Sequence, residues 1–110
     1  MGATNLSELP EKSPFPGWRG KFIRSAAMTF VYWDVPAGTV LPEHSHPHEQ
    51  VAHMFEGEFE IVVDGVTQRL TPGSVSVIPP NALHSGHAIT DCRILDVFSP
   101  VREDYIAFEG

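Results

Sequence analysis

The sequence predicts an all-β barrel or sandwich, on three observations. Short runs rich in β-branched and aromatic residues recur along it, among them "MTFVYWDV" (28–35) and "CRILDVF" (92–98). Nine glycines and ten prolines punctuate those runs. No long segment keeps a 3.6-residue apolar period, so no substantial helix is expected. Many short strands joined by Gly/Pro turns fold as sandwiches or barrels. The 110 residues suit one domain, and 42% apolar against 19% charged side chains belong to a globular chain.

Residues 1–17 place Pro10, Pro14 and Pro16 among polar neighbours, which predicts an irregular arm; the barrel domain then spans residues 18–110. Residues 28–35 make an aromatic-rich strand. "EHSHPHEQ" (43–50) is read as extended chain, where side chains at i and i+2 share a face, so His44 and His46 point the same way. "FEIVVDGVTQRL" (59–70) is two apolar runs joined by Asp64-Gly65, the strongest short hairpin signal. "TPGSVSVIPP" (71–80) alternates Ser and Val after a Pro-Gly turn, and residues 92–98 alternate again. For "VREDYIAF" (101–108) a short helical turn and a last strand are both open.

Fourteen acids against seven bases leave a formal charge of −7. No basic patch is visible, so nucleic acid is not an expected partner. An anionic ligand would need local cations to hold it. The lone Cys92 cannot form an internal disulfide and is expected to be a buried, inert thiol. The N-terminus has no apolar signal-peptide core, and the longest apolar run, near residues 26–33, is too short to cross a bilayer. The expectation is a cytoplasmic protein with no membrane partner.

Three of the six histidines fall within five residues, at 44, 46 and 48. The surroundings are spaced as two sets. Gly38, His44, His46, Gln50 and Gly57 form the first; Gly73, Pro79, Asn81 and His84 form the second, beginning after 15 intervening residues. These sets resemble the paired motifs of the cupin superfamily. The resemblance, from about Gly38 to His84, implies a double-stranded β-sheet barrel of the jelly-roll type holding one divalent ion. Its ligands would be His44, His46, Gln50 and His84. Three positions depart from the pattern: Gln50 stands for a glutamate, Asn81 for a glycine and Ala88 for an asparagine. Three imidazoles and a carboxamide would leave the ion its full double positive charge, a stronger Lewis acid than one bound by a carboxylate. Ni, Zn, Fe, Mn or Cu are all open.

The other histidines read more plainly. His48, after Pro47, is a rim or surface residue; Glu49 points away and is solvated; His87 has the opposite parity to His84 and faces out. His53 either lines the pocket or is a hydrogen-bonded core histidine. Phe30, Tyr32 and Trp33 are ordinary core and interface residues.

Downstream, "DVFSPVRED" (96–104) brings a carboxylate, an aromatic ring and a guanidinium, Asp96, Phe98 and Arg102, toward the barrel mouth. With "HSHPHEQ" and Gln50, this resembles the KdgF family of uronate-linearising cupins of pectin and alginate breakdown. The resemblance implies Asp96, Phe98 and Arg102 as the catalytic pocket residues. It implies 4,5-unsaturated monouronates as substrates, and the linear 4-deoxy-5-keto uronate as product, with no redox cofactor. Asp96 would carry the proton, Arg102 would pair the substrate carboxylate, and Phe98 would pack on the sugar ring. A metal-dependent dioxygenase and a non-catalytic sugar- or acid-binding cupin are the alternatives. A homodimer is expected, with residues 28–35 on its interface.

Overall fold

The computed structural model describes residues 2–110, and among them ten strands form two antiparallel sheets. In chain order the strands are β1 (Lys12–Phe15), β2 (Trp18–Arg24), β3 (Thr29–Val35), β4 (Val40–His44) and β5 (Glu49–Glu56). They continue as β6 (Phe59–Val63), β7 (Val66–Leu70), β8 (Val75–Ile78), β9 (His84–Ala88) and β10 (Cys92–Ser99). One sheet runs β1-β2-β3-β10-β5-β8 and the other β4-β9-β6-β7. This is the jelly-roll barrel that the paired motifs implied.

Pleat alternation explains the layering. Along β3, Val31, Trp33 and Val35 are buried while Phe30, Tyr32 and Asp34 are only half-buried on the opposite face. Val31 joins Phe22, Met54, Phe59, Ile61 and Ile78 in the core between the sheets. The aromatic members meet edge to face: Trp33 packs on Trp18 at 5.3 Å and on Phe22 at 5.4 Å between ring centroids. The 59–70 hairpin turns at Asp64 (φ 47°) and Gly65 (φ 80°), as its dipeptide predicts. Gly57 has φ +84° and its missing Cβ would collide with the backbone carbonyl of Asp91, so only glycine fits there. Asn81, the departure from a motif glycine, sits at φ 66°, a left-handed conformation asparagine tolerates better than most residues.

One expectation changes, and one open choice is settled. The arm of residues 1–17 is not irregular throughout: Leu6–Glu8 form a 3-10 turn capped by the Asn5 side chain, and β1 pairs with β2. Pro14 is accommodated because β1 is an edge strand, where a missing donor faces no partner. The C-terminal segment resolves as a 3-10 helix over Glu103–Phe108, whose Tyr105 and Phe108 rings close onto Phe22 at 5.2 and 5.4 Å. No helix among the described residues is long and apolar enough to cross a membrane.

Candidate metal centre and adjoining cavity

Both sheets contribute to one cluster in the barrel interior. His44 is the last residue of β4 and His84 the first of β9, and the two face each other directly in the β4–β9 register with ring centroids 4.1 Å apart. His46 does not share their strand. It lies past the end of β4, in the bend that leads to β5, so the pleat argument for His44 and His46 reached the right grouping by the wrong route. The bend is pinned by Asn81, whose backbone N–H donates to the His46 carbonyl at 2.8 Å.

One ring nitrogen of each of the three histidines lies within 4.8 Å of the others. Each Nδ1 is engaged by a backbone carbonyl: His44 with Pro42 at 2.8 Å, His46 with His48 at 3.1 Å, His84 with Ala82 at 2.9 Å. A carbonyl only accepts, so Nδ1 carries the proton and Nε2 keeps its lone pair. This is the tautomer of a metal ligand oriented by its other nitrogen. Burial, then the charges of Arg102 and His84, hold His46 down at about 4. His84 is lowered chiefly by burial. The buried His84 Nε2 has no hydrogen-bond partner. Three imidazoles with converging ring nitrogens, one of them orphaned, fit a bound cation. The group can hold a metal ion. Wild-type protein should carry about one equivalent of divalent metal, the three imidazoles serving one ion. His46→Ala combined with His84→Ala should remove it; metal analysis showing unchanged content in that variant would defeat the assignment.

Gln50, on β5, is buried with its Oε1 3.1 Å from His46 Nε2. Its carboxamide also lies beside Asp96 and favours that carboxylate's charged form. Asp96 points inward from β10. Its Oδ2 accepts from Trp33 Nε1 at 3.0 Å, but no well-formed hydrogen bond satisfies Oδ1. Burial pushes Asp96 up to about 6, against the pull of Gln50, Trp33 and Arg102. The Trp33 partnership was missed in the sequence. Trp33 is opposite Ile94 in the β3–β10 register, hence diagonal to Asp96, and only the register makes them neighbours.

Phe98 is 2% exposed. It lies 5.6 Å from the His46 ring and under the Arg102 guanidinium at 4.8 Å. Its ring backs those two residues and presents no open face for a sugar, which corrects the expected packing on substrate. Arg102 is buried, its backbone N–H held by Thr29 Oγ1 at 2.9 Å. Its Nε and Nη2 donate to the two oxygens of Asp104 at 3.1 and 2.6 Å. An Arg102–Asp104 salt bridge is the plain reading of neighbouring charges in the sequence, and it forms; Tyr105 went unnoticed as a companion of Arg102.

A cavity of about 730 Å³ reaches this site at His44 and Arg102, while His46, Gln50, His84, Asp96 and Phe98 are not among its lining residues. His44, Arg102, Asp104 and Tyr105 line one part of it, and Phe15, Trp18, Leu41 and Pro42 another. It opens between β4 and the β1-β2 edge, where the two sheets are tied by Trp18 Nε1 donating to the Val40 carbonyl at 3.1 Å. His48 is half-buried, while Glu49 and His87 are exposed, as their positions predict. His53 is neither in the pocket nor a hydrogen-bonded core residue. Three residues from Gln50, it has the opposite parity, and it sits half-buried on the outer face with Nδ1 unpartnered. Cys92 is buried, its thiol donating toward the Glu58 and Thr90 carbonyls and raised by burial.

The Cupin domain family matches residues 31–98. The pectin degradation protein KdgF of Dickeya dadantii (strain 3937) is 31% identical over 71 residues, which cover 63% of this chain and 64% of that protein. The match thus spans less than two thirds of that relative's length. Among solved structures, KdgF from Halomonas sp. superposes with a TM-score of 0.87 at 29% identity, over 94% of this chain and 98% of that one. An RmlC-like cupin from Shewanella frigidimarina NCIMB 400 also gives 0.87 at 29%, covering 93% of both chains. The two sheets, the three converging imidazoles and a family match over most of the barrel agree: this chain belongs to the cupin family.

Proposed function

We propose that this cupin is a metalloenzyme that converts 4,5-unsaturated monouronates from pectin or alginate lysis into the linear 4-deoxy-5-keto uronate. The observation that carries the reading is the buried Asp96 carboxylate with one oxygen unsatisfied, beside Gln50 and near a buried guanidinium. An unpartnered buried carboxylate oxygen is costly, and a substrate hydroxyl would satisfy it. The likeness to KdgF proteins supports the same substrate class.

The reaction is an isomerisation. The anomeric hydroxyl loses its proton, the C1 carbonyl forms as the ring C1–O bond breaks, and the released enol takes a proton at C4 to become the 5-ketone. Asp96 is suited to carry that proton, since burial places it near neutrality, where acceptance and return are both easy. Arg102 offers the cation that an acidic chain needs to hold the substrate carboxylate. Phe98 keeps water from the buried side of Arg102. His44, His46, Gln50 and His84 would hold the divalent ion, which supplies Lewis acidity toward substrate oxygens. For Gln50 the argument is its contact with His46. With Nδ1 protonated, His46 Nε2 and Gln50 Oε1 face each other as two acceptors at 3.1 Å. Donor atoms each about 2.1 Å from one shared ion stand roughly this far apart.

The test follows ultraviolet absorbance of the C4=C5 enoate in lyase-generated monomer. The metal-loaded protein should accelerate its loss. A spontaneous rate left untouched with every divalent metal tried would reject linearisation in favour of a binding module. Gln50→Glu should keep the ion but slow turnover: the new carboxylate cancels one positive charge and crowds the Asp96 carboxylate. Unchanged turnover with the same metal would show that the residual charge is not used.

We also propose a homodimer through the outer face of the larger sheet. Phe30, Val97, Val51 and Val77 form one row across β3, β10, β5 and β8; Tyr32, Leu95, His53 and Val75 form the next. Val75 and Val77 are more than half exposed, which fits an interface better than a free surface. Light scattering should give twice the chain mass, and Val77→Lys should shift it toward the monomer; a wild-type monomer at micromolar concentration would overturn this.

A further inference from the structure

Arg102 has more hydrogen-bonding capacity than its protein partners use. A guanidinium presents two edges, one side-on through Nε and Nη2 and one end-on through Nη1 and Nη2. Asp104 occupies the side-on edge with both oxygens. No acceptor among the described residues takes Nη1. The group lies over the Tyr105 ring at 4.0 Å and the Phe98 ring at 4.8 Å, so its plane is fixed by packing as well as by the pair. The two partners differ in exposure: the Arg102 side chain is 10% exposed and that of Asp104 58%. Both line the cavity that also reaches His44.

We propose that Asp104 is a positioning residue for ligand recognition: by clamping the side-on edge of Arg102, it leaves the end-on edge to receive a ligand carboxylate in the cavity. This rests on the reading that Arg102 pairs the carboxylate of a uronate. Asp104 touches Arg102 and acts through it. Its place two residues after Arg102, in the first turn of the C-terminal 3-10 helix, lets one short segment supply both receptor and clamp. Without the clamp, a long side chain regains rotamer freedom and must lose it again on binding, and the bidentate geometry weakens. The opposite expectation is equally definite. If Asp104 acted as a competing counter-ion, its removal would strengthen carboxylate binding.

The experiment compares D-galacturonate with D-galactose, which share a ring and differ in the carboxylate, on metal-loaded protein by calorimetry. Neither is a substrate for linearisation, so the outcome stands apart from turnover. Wild type should prefer the uronate. Asp104→Ala should cut that preference by roughly tenfold or more, the scale on which a hydrogen bond to a charged group contributes. Its metal content and melting temperature should stay close to wild type. Asp104→Asn, which keeps one acceptor oxygen, should fall between the two. A preference that is absent in wild type, unchanged in Asp104→Ala or increased by it would overturn the proposal. If the preference is lost as expected while unsaturated uronates are not turned over, the clamp stands and the linearisation reading fails.

Discussion

Asp96→Asn should lower kcat by roughly 10²–10⁴-fold, the span expected when a general acid–base is lost. KM should change little. The structure makes this substitution unusually clean. The new carboxamide can keep its oxygen on Trp33 Nε1, preserving the 3.0 Å contact that orients the side chain. Its NH2 group then occupies the position of the unsatisfied Oδ1, offering a donor where the carboxylate offers an acceptor. The side chain stays in place but can no longer take a proton. Stability should hold or rise, because the variant removes a carboxylate that pays for burial when charged. Initial rates on lyase-generated unsaturated monomer, with a thermal melt as control, measure both quantities. A kcat within a few-fold of wild type would remove Asp96 from the chemistry.

Arg102→Ala should instead act on KM. A guanidinium–carboxylate pair exists in the ground state and transition state alike, so its loss weakens binding without slowing the bound substrate. For a buried pair the cost in kcat/KM is about 2–5 kcal/mol. Folding should survive. The backbone N–H of residue 102 keeps its bond to Thr29 Oγ1, and the Asp104 carboxylate left behind is more than half exposed and will be hydrated. Arg102→Lys retains charge but not the two-edged fork, and should recover only part of the loss. A fall in kcat with KM unchanged would mean that Arg102 stabilises charge developing during the reaction.

How much was legible in advance differs by residue. His44 and His84 were legible because motif spacing carries register: residues that must face each other across β4 and β9 recur at set distances from turn glycines. Gly57 shows the same logic, since its missing side chain makes room for the Asp91 carbonyl. Asp96 and Phe98 were placed on one face by alternation along β10, and the burial pattern follows that alternation. His53 was harder, because nothing in its neighbourhood said which face of β5 turned inward until Gln50 set the parity. The arm was misjudged because proline is a breaker inside a sheet yet harmless on an edge strand, and edge status depends on strand order.

By itself the sequence determined the strand content, the turns and the residues that gather at the centre. These follow from local periodicity, glycine conformation and spacing, each a property of a few consecutive residues. Tertiary structure alone decided the partners. Trp33 meets Asp96 through a cross-strand diagonal, and His46 reaches the cluster from a bend held by Asn81, 35 residues away. Phe98 lies beneath Arg102 and out of the cavity, and Asp104 takes one edge of Arg102 while leaving the other free. Which faces meet, and which polar atoms find partners, depends on how two sheets are registered and packed, and that is settled by the whole core at once.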